Sequence, residues 1–344
     1  MSFRKIASVL LLLLLLVLPI TSPAEEGFEI HFLDVGQGDA AIVRCDDQVM
    51  MIDGGNAANS SLVYSYLKNT LKESHIEYMI CTHVHEDHAG GLAGALNACS
   101  INTVFAPTQE ADNEAFSNFV KYVKKQGKII TVPMAGDTFS LGSAKVEILA
   151  PINENIDIND NSLVVRIVYG STSFLFAGDA ERQEEYDILN AGYDLGSTLL
   201  KVGHHGSDSS TSYIFLREIM PQYAIISVGK GNGYGHPTDA VLSRLRDADV
   251  TVYRTDLLGN IVCTSNGYTL CFSTEKTVSG SPSVEGFGLS TPNDEVYIGN
   301  RNTEKFHYSW CSSVDQMKET NKVELYSRDE AIKQGFVPCK NCNP

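Results

Sequence analysis

Basic side chains are scarce. The 344-residue chain carries 26 Lys and Arg against 42 Asp and Glu, a formal net charge of −16 at pH 7. Such a surface repels polyanions at long range and excludes a basic cradle as the means of holding a nucleic acid. The N-terminal apolar run, residues 6–20, is too short for a comfortable membrane span. It follows Arg4 and Lys5 and precedes Ser22-Pro23-Ala24, the three parts of a secretory signal peptide. Cleavage after Ala24 is expected, with a secreted or wall-associated product and no stable membrane span. That product holds 24 basic and 42 acidic side chains, a formal charge of −18. No Cys directly follows the run, which excludes a lipid anchor on a mature N-terminal Cys.

Cysteine is present but cannot pair completely. Cys45, Cys81, Cys99, Cys263 and Cys271 lie in the main body, an odd number; Cys311, Cys339 and Cys342 lie in the tail. Cys263 and Cys271 flank Asn266-Gly267, a two-residue hairpin signal. That turn sets Cys263 opposite Leu270 and the two sulfurs on opposite faces, so no bridge is predicted between them.

What the chain does have is Thr82-His83-Val84-His85-Glu86-Asp87-His88-Ala89-Gly90-Gly91. Three imidazoles and two carboxylates fall within six residues. The apolar run 77–81 before it reads as a buried strand, and a Gly- and Ala-rich helix over 89–98 follows. The cluster therefore sits on a strand-to-helix turn. His83 and His85 alternate with Val84 and can face one cation; Asp87 and His88 can take a second. Nitrogen and oxygen ligands of this kind suit zinc, iron or manganese.

Around this stretch the pattern alternates strands and helices. A strand meander is predicted over 28–35, 40–45 and 48–53, then a helix over 60–73 and strands over 77–81 and 103–106. A helix over 114–126 precedes a second run of strands, 128–132, 144–150, 162–169 and 173–177. Helix 181–190, strand 199–202, helix 210–219, strand 223–228, helix 238–248, strand 250–254 and a closing hairpin over 260–272 complete it. Two similar halves suggest two sheets face to face with helices outside, an αββα sandwich in the α/β class, and the pattern alone equally allows an ordinary layered α/β protein. Residues 276–294, rich in Ser, Gly, Pro and Thr, read as a linker. Residues 295–344 form a unit too small to build a large core unaided.

The cluster at 82–91 resembles the HxHxDH signature of the metallo-β-lactamase superfamily. Asp53, in Met51-Ile52-Asp53-Gly54-Gly55, resembles that family's upstream strand-end Asp, and Phe176-Ala177-Gly178-Asp179 its bridging-Asp strand end. Asp34-Val35-Gly36-Gln37-Gly38-Asp39, Leu200-Lys201-Val202-Gly203-His204-His205-Gly206-Ser207 and Gly235-His236-Pro237 narrow the likeness to the hydrolase domain of ComEC-like competence proteins and their secreted relatives. The likeness covers residues 25–275. It implies two divalent metals, zinc or manganese, in one cleft. His83 and His85 hold one, Asp87, His88 and His205 the other, and Asp179 bridges them. Water activated between the cations is the nucleophile. Asp53 accepts a hydrogen bond from a ligand imidazole or caps backbone amides. His204 acts as phosphate contact or general acid, and His236 reaches the cleft from a neighbouring loop. Gly36 and Gly38 let the backbone approach the metal-binding turn. His31 and His75 are structural.

One feature departs from the family pattern: no His occurs from Ala89 to Gly178. Asp160 or Asn161 supplies an oxygen at or behind that position, or water fills it, which favours a harder cation such as manganese. In the tail, His307, Cys311, Cys339 and Cys342 make a closed structural zinc set, favoured by the His-x3-Cys spacing and the small size over a redox Cys-x-x-Cys pair. That stretch resembles the Ada-type metal-binding module. The expected activity is metal-dependent cleavage of a phosphodiester, DNA foremost, bound weakly. Alternatives are a small phosphodiester such as a phosphocholine-type wall decoration, a lactone or β-lactam, or a non-catalytic wall- or nucleic-acid-binding role.

Overall fold

The structure is a computed structural model and describes residues 27–277, 297–308, 311–325 and 328–339. The expected signal peptide (1–24), most of the expected linker and Cys342 lie outside the described residues. The chain divides into two compact units, Met1–Val284 and Glu285–Pro344. Among the described residues, no helix is long and apolar enough to cross a membrane.

The first unit is a sandwich of two sheets. Strands β1 (Phe28–Phe32), β2 (Ala41–Cys45), β3 (Gln48–Ile52), β4 (His75–Ile80), β5 (Ser100–Phe105) and β6 (Ile130–Thr131) form most of one sheet. Strands β7 (Thr138–Leu141), β8 (Ala144–Ala150), β9 (Val164–Tyr169), β10 (Thr172–Phe176), β11 (Leu199–Lys201), β12 (Tyr223–Ile226) and β13 (Thr251–Arg254) form the other. The closing hairpin, β14 (Ile261–Ser265) and β15 (Leu270–Thr274), returns to the first sheet and pairs with β1, giving the orders β15-β14-β1-β2-β3-β4-β5-β6 and β13-β12-β11-β10-β9-β8-β7.

Burial explains the layering. Phe32, Val43, Met50 and Ile80 of the first sheet meet Ile148, Val165, Phe174 and Leu199 of the second in one apolar layer. Each fully buried side chain of this size contributes about 1.5–3 kcal/mol. The outer faces are covered by helices. On the first sheet lie α1 (Ser60–Ser65), α2 (Glu86–Ala89), α3 (Leu92–Ala98) and α4 (Glu114–Lys125), around Leu92, Leu96, Phe116 and Phe119. On the second lie α5 (Arg182–Ala191), α6 (Tyr213–Ile219) and α7 (Asp239–Asp247), around Ile188, Phe215 and Leu245. Strands covered on both faces read as near-continuous apolar runs, which is why 77–81 stands out in the sequence.

Several elements differ from expectation. The helix expected over 89–98 begins earlier and breaks at Gly90-Gly91, so Asp87 and His88 lie on the single turn α2. A Cβ on Gly91 would fall 1.8 Å from Gly54 O, so only glycine permits this approach. The helix expected over 60–73 is α-helical to Ser65 and then widens to a π-helical turn, Tyr66–Leu71. Strand β7 was not foreseen; it is short, mostly exposed, and joined to β8 through Gly142-Ser143. Strand β6 ends the first sheet instead of opening the second. The closing hairpin turns through four residues, with Ser265 opposite Leu270 and Cys263 opposite Phe272. Asn266 Oδ1 accepts from the amides of Tyr268 and Thr269 (2.9 and 2.8 Å), which holds the wider loop. Cys263 is buried and Cys271 exposed, and the thiols of Cys45, Cys81, Cys99, Cys263 and Cys271 are all free.

The second unit is a four-stranded sheet, β16 (Tyr297–Asn300), β17 (Lys305–Tyr308), β18 (Lys322–Leu325) and β19 (Val337–Pro338), in the order β18-β16-β17-β19. Its core is small: Phe306, Leu325 and Ala331, with Tyr297, Val323 and Phe336 partly buried around them.

Two neighbouring glutamates on α5 create a pH dependence. Burial pushes Glu184 and Glu185 each up to about 7. Glu185 accepts from the amides of Thr211 and Ser212 and so anchors the segment after the histidine pair. A carboxyl whose folded pKa exceeds its unfolded value of 4.5 favours folding at low pH, and that contribution is lost as pH rises through about 7. In chelator-treated protein, Glu185→Gln is therefore expected to raise Tm at about pH 8 and to change it little at about pH 5. Equal effects at both pH values would contradict this account.

Candidate metal centre

The site gathers at the carboxyl ends of strands from both sheets, where ligands of open α/β sheets collect. Asp53 follows β3, the stretch from Thr82 to His88 follows β4, Asp179 follows β10, His204 and His205 follow β11, and Ser227 follows β12. Backbone hydrogen bonds lace these ends together. Asp53 N donates to Ile80 O (2.9 Å), Gly54 N to His88 O (2.8 Å) and Asp39 N to Asp87 O (3.0 Å). A Cβ on Gly38 would lie 2.4 Å from Asp87 O, so Gly38 permits that approach. Gly36 has open space around it; its role is the turn conformation, φ +70°.

His88 is the buried centre. Its Nδ1 lies 2.8 Å from Asp53 Oδ2 and its Nε2 3.2 Å from Asp179 Oδ1. Asp53, itself at φ 57°, also accepts from the amide and hydroxyl of Thr82, both at 2.7 Å. It therefore holds an imidazole and caps an amide at once. His83 Nε2 lies 3.1 Å from His85 Nδ1 and 3.7 Å from Asp179 Oδ2. His205 Nε2 lies 3.3 Å from Asp87 Oδ2 and 3.6 Å from Asp179 Oδ2. Its Nδ1 contacts Ser227 O at 3.0 Å and Asp39 Oδ1 at 3.1 Å.

His204 and His205 both adopt positive φ, 47° and 52°, a conformation unusual outside glycine. The strained turn buries His205 in the cluster and leaves His204 half-buried at its edge. His204 Nδ1 lies 2.8 Å from Glu181 Oε1, and its Nε2 lies 3.7 Å from Asp179 Oδ2. His236 stands beyond it, ring centroids 5.5 Å apart. His31 pairs with Tyr66 (3.0 Å) and His75 with Ser100 (2.9 Å), both away from the cluster.

Asp160 and Asn161 are not brought to the cluster. Asp160 Oδ1 accepts from the amides of Glu181 and Glu184, at the start of α5. Asn161 bonds to Asn155 and Asp157 within its own loop. The 3-10 turn Asn159–Asn161 instead presents Asn159 to the cleft, where its Oδ1 is buried without a hydrogen-bond partner. Three residues that sequence reasoning gave no role complete the surroundings. Asp39 backs His205 and forms a buried ion pair with Lys201 at 2.7 Å, and Glu181 backs His204. Their only sequence signal is membership of the Gly-Gln-Gly-Asp, Leu-Lys-Val-Gly-His-His and Gly-Asp-Ala-Glu stretches.

Charge governs this centre. Burial opposes a charge on His88 and His205, but the carboxylates outweigh it. Asp179 and Asp53 raise His88 well above the usual imidazole range, and Asp179 and Asp39 raise His205 to about 10. Burial and the neighbouring His88 keep His83 neutral. His88 Nε2, Asp179 Oδ1 and His205 Nε2 are buried and face one another or Asp87 at 3.2–3.3 Å without a well-aligned hydrogen bond among the described residues. Ligand atoms of His83, His88 and Asp179, and of Asp87, His88 and His205, each lie within 4.8 Å of one another. Convergent nitrogen and oxygen atoms, with carboxylates in need of positive charge, fit divalent cations. In the second unit, ligand atoms of His307, Cys311 and Cys339 also lie within 4.8 Å of one another, all three residues buried.

Fold and site together define a two-sheet sandwich with a candidate divalent-metal centre at its strand ends. The chain matches the model of the Metallo-beta-lactamase superfamily over residues 33–230 and belongs to that superfamily. It is 28% identical over 253 residues to ComE operon protein 3 of Bacillus subtilis (strain 168), covering 68% of this chain and 32% of that protein. It is 31% identical over 230 residues to Competence protein ComA of Neisseria gonorrhoeae, covering 66% of this chain and 30% of that one. The chain thus spans about a third of the length of these relatives. Among solved structures, the metallo-beta-lactamase fold protein YhfI from Bacillus subtilis aligns with TM-score 0.47 at 14% identity, over 69% of this chain and 100% of that one.

The unequal burial of the histidine pair gives an expected outcome. His205→Ala lowers the divalent-metal content measured by elemental analysis after dialysis, whereas His204→Ala keeps it and slows turnover. The reverse contents would make His204 the ligand.

Proposed function

We propose that this chain is an exported binuclear metallohydrolase that cleaves phosphodiesters, with DNA as the foremost substrate. The convergence of His88, His205 and Asp179 atoms in one cleft carries the reading. His83 and His85 would hold one cation and Asp87, His88 and His205 the other, with Asp179 standing between the two sets. Zinc or manganese suits the set, and Asn159, in place of a further imidazole, adds an oxygen donor that favours manganese. Bound cations supply Lewis acidity, which makes water nucleophilic near neutral pH and offsets charge developing on phosphate oxygens. The protein residues do the rest. Asp53 and Asp39 fix the imidazoles of His88 and His205. Glu181 aims His204 Nε2 at the cleft, where it contacts a phosphate oxygen or hands a proton to the departing oxygen. His236 stands beside it to bind the same group.

The names of the relatives support DNA: Competence protein ComA, and Recombination protein 2 of Haemophilus influenzae, 29% identical over 240 residues. With a net charge of −16, binding to DNA is weak and leans on the cations. In the second unit, His307, Cys311 and Cys339, with Cys342 beyond the described residues, hold one structural zinc. A core this small needs such a staple.

Two experiments test these assignments. Asp179→Ala is expected to lose about a hundredfold or more of activity on plasmid DNA and on bis(p-nitrophenyl) phosphate, and one cleft metal, while circular dichroism is unchanged. Full activity in that variant would remove the binuclear mechanism. Cys311→Ser is expected to release one zinc and unfold the second unit in the full chain, seen as rapid proteolysis confined to the region after residue 295. Cleavage of the chromogenic diester should persist. A second unit that stays protected without zinc would show that the thiols serve another purpose.

A further inference from the structure

We propose that Tyr234 is a stacking subsite for an unpaired nucleobase beside the scissile phosphate, an inference that rests on the phosphodiesterase reading above. Its ring is 73% exposed, yet it lines the same cleft, of about 390 Å³, as Asp179, His204 and His205. Four rings run outward from the buried cluster to solvent. Centroids are 6.0 Å apart from His205 to His204, 5.5 Å from His204 to His236 and 5.7 Å from His236 to Tyr234. The last pair is nearly parallel, at 27°. A phosphate held at the inner histidines therefore has an open aromatic face one ring further out.

The loop that carries Tyr234 is glycine-rich but built to hold it still. Gly229, Gly231, Gly233 and Gly235 punctuate it, and the side chain of Asn232 closes it from within. Asn232 Nδ2 donates to Gly229 O (2.9 Å) and His236 O (2.6 Å), and its Oδ1 accepts from the amides of Tyr234 and His236, both at 3.1 Å. Gly229 N donates to Gln37 Oε1 (3.2 Å), tying the loop to the segment that supplies Asp39. The backbone that carries the ring is thus set before substrate arrives, and His236 lies against one face of the ring, which lowers the entropy lost on binding.

Charge makes such a contact useful. A chain at −16 gains little from long-range attraction to a polyanion. Stacking needs no cationic side chain, and it tolerates any sequence because every base has a π-face. A base inside a duplex has both faces covered, so the subsite takes single strands, frayed ends or loops. The side-chain amides of Gln37 and Asn113 line the same cleft and can meet base edges without demanding one base.

The test compares wild type, Tyr234→Ala and Tyr234→Phe as full-length, metal-supplemented proteins. Substrates are a single-stranded oligodeoxynucleotide and one of equal length in which every base is replaced by an abasic tetrahydrofuran unit. Tyr234→Ala is expected to raise KM for the base-bearing strand about five- to tenfold, with a smaller change in kcat, and to leave KM for the abasic strand unmoved. Tyr234→Phe retains the wild-type KM. The loss on alanine substitution should be the same at low and high salt, because the contact is not ionic. Equal losses on both strands, or none on either, would overturn the subsite. If wild type hydrolyses bis(p-nitrophenyl) phosphate but neither strand, the subsite fails and the diesterase reading survives. If it hydrolyses neither the chromogenic diester nor the strands, both fail together.

Discussion

Four carboxylates packed among buried imidazoles set the terms for the rest of the molecule. Asp39, Asp53, Asp87 and Asp179 converge with His83, His88 and His205, most of them out of contact with water. Buried negative charge is costly unless positive charge stands within a few ångströms. Without cations, protons on His88 and His205 meet part of that need, which is why their pKa values rise in spite of burial. The two sheets exist, in this sense, to bring five strand ends to one point and hold them there. The glycines that press one end against another, Gly38 and Gly91, serve that same convergence.

Much of this was legible in the chain because the ligands of one strand end are contiguous. His83 to His88 announce themselves by spacing alone, whereas Asp53 and Asp179 stand out through the resemblance of their strand-end stretches to the superfamily's motifs. The partners behind them were not legible. Lys201 reads as one more residue in a strand, and nothing local says that its ammonium meets Asp39. Such a pairing is a fact of sheet order, set when β11 lands opposite the loop after β1. Fine rotation was lost for a different reason. The segment 159–161 forms one 3-10 turn, in which successive side chains point about 120° apart. Naming the right segment therefore left open which of three polar residues faces the cleft, and the structure presents Asn159.

The fold was readable for a related reason. Strands covered on both faces show as unbroken apolar runs, and the helices between them carry regular apolar spacing. Short exposed pieces escape, as β7 does, because four residues with one buried side chain carry almost no pattern. The register of the closing hairpin went astray through a side chain: Asn266 folds back onto two amides and turns a two-residue connection into a four-residue loop. The two thiols stay on opposite faces all the same, because moving both partners preserves the alternation of the strand.

The ion pair of Lys201 and Asp39 has a consequence for how the centre lives without its cations. An ammonium tethered to the backbone cannot be chelated, outcompeted or washed away. With that fixed charge behind His205, and protons available to the imidazoles, much of the charge of the four carboxylates is offset from within the chain. Among its described residues the second unit has a far smaller apolar core, Phe306, Leu325 and Ala331, beside the cluster of Cys311, Val314 and Cys339. A cation that enters the cleft therefore meets carboxylates whose charge is already largely offset by groups of the chain itself.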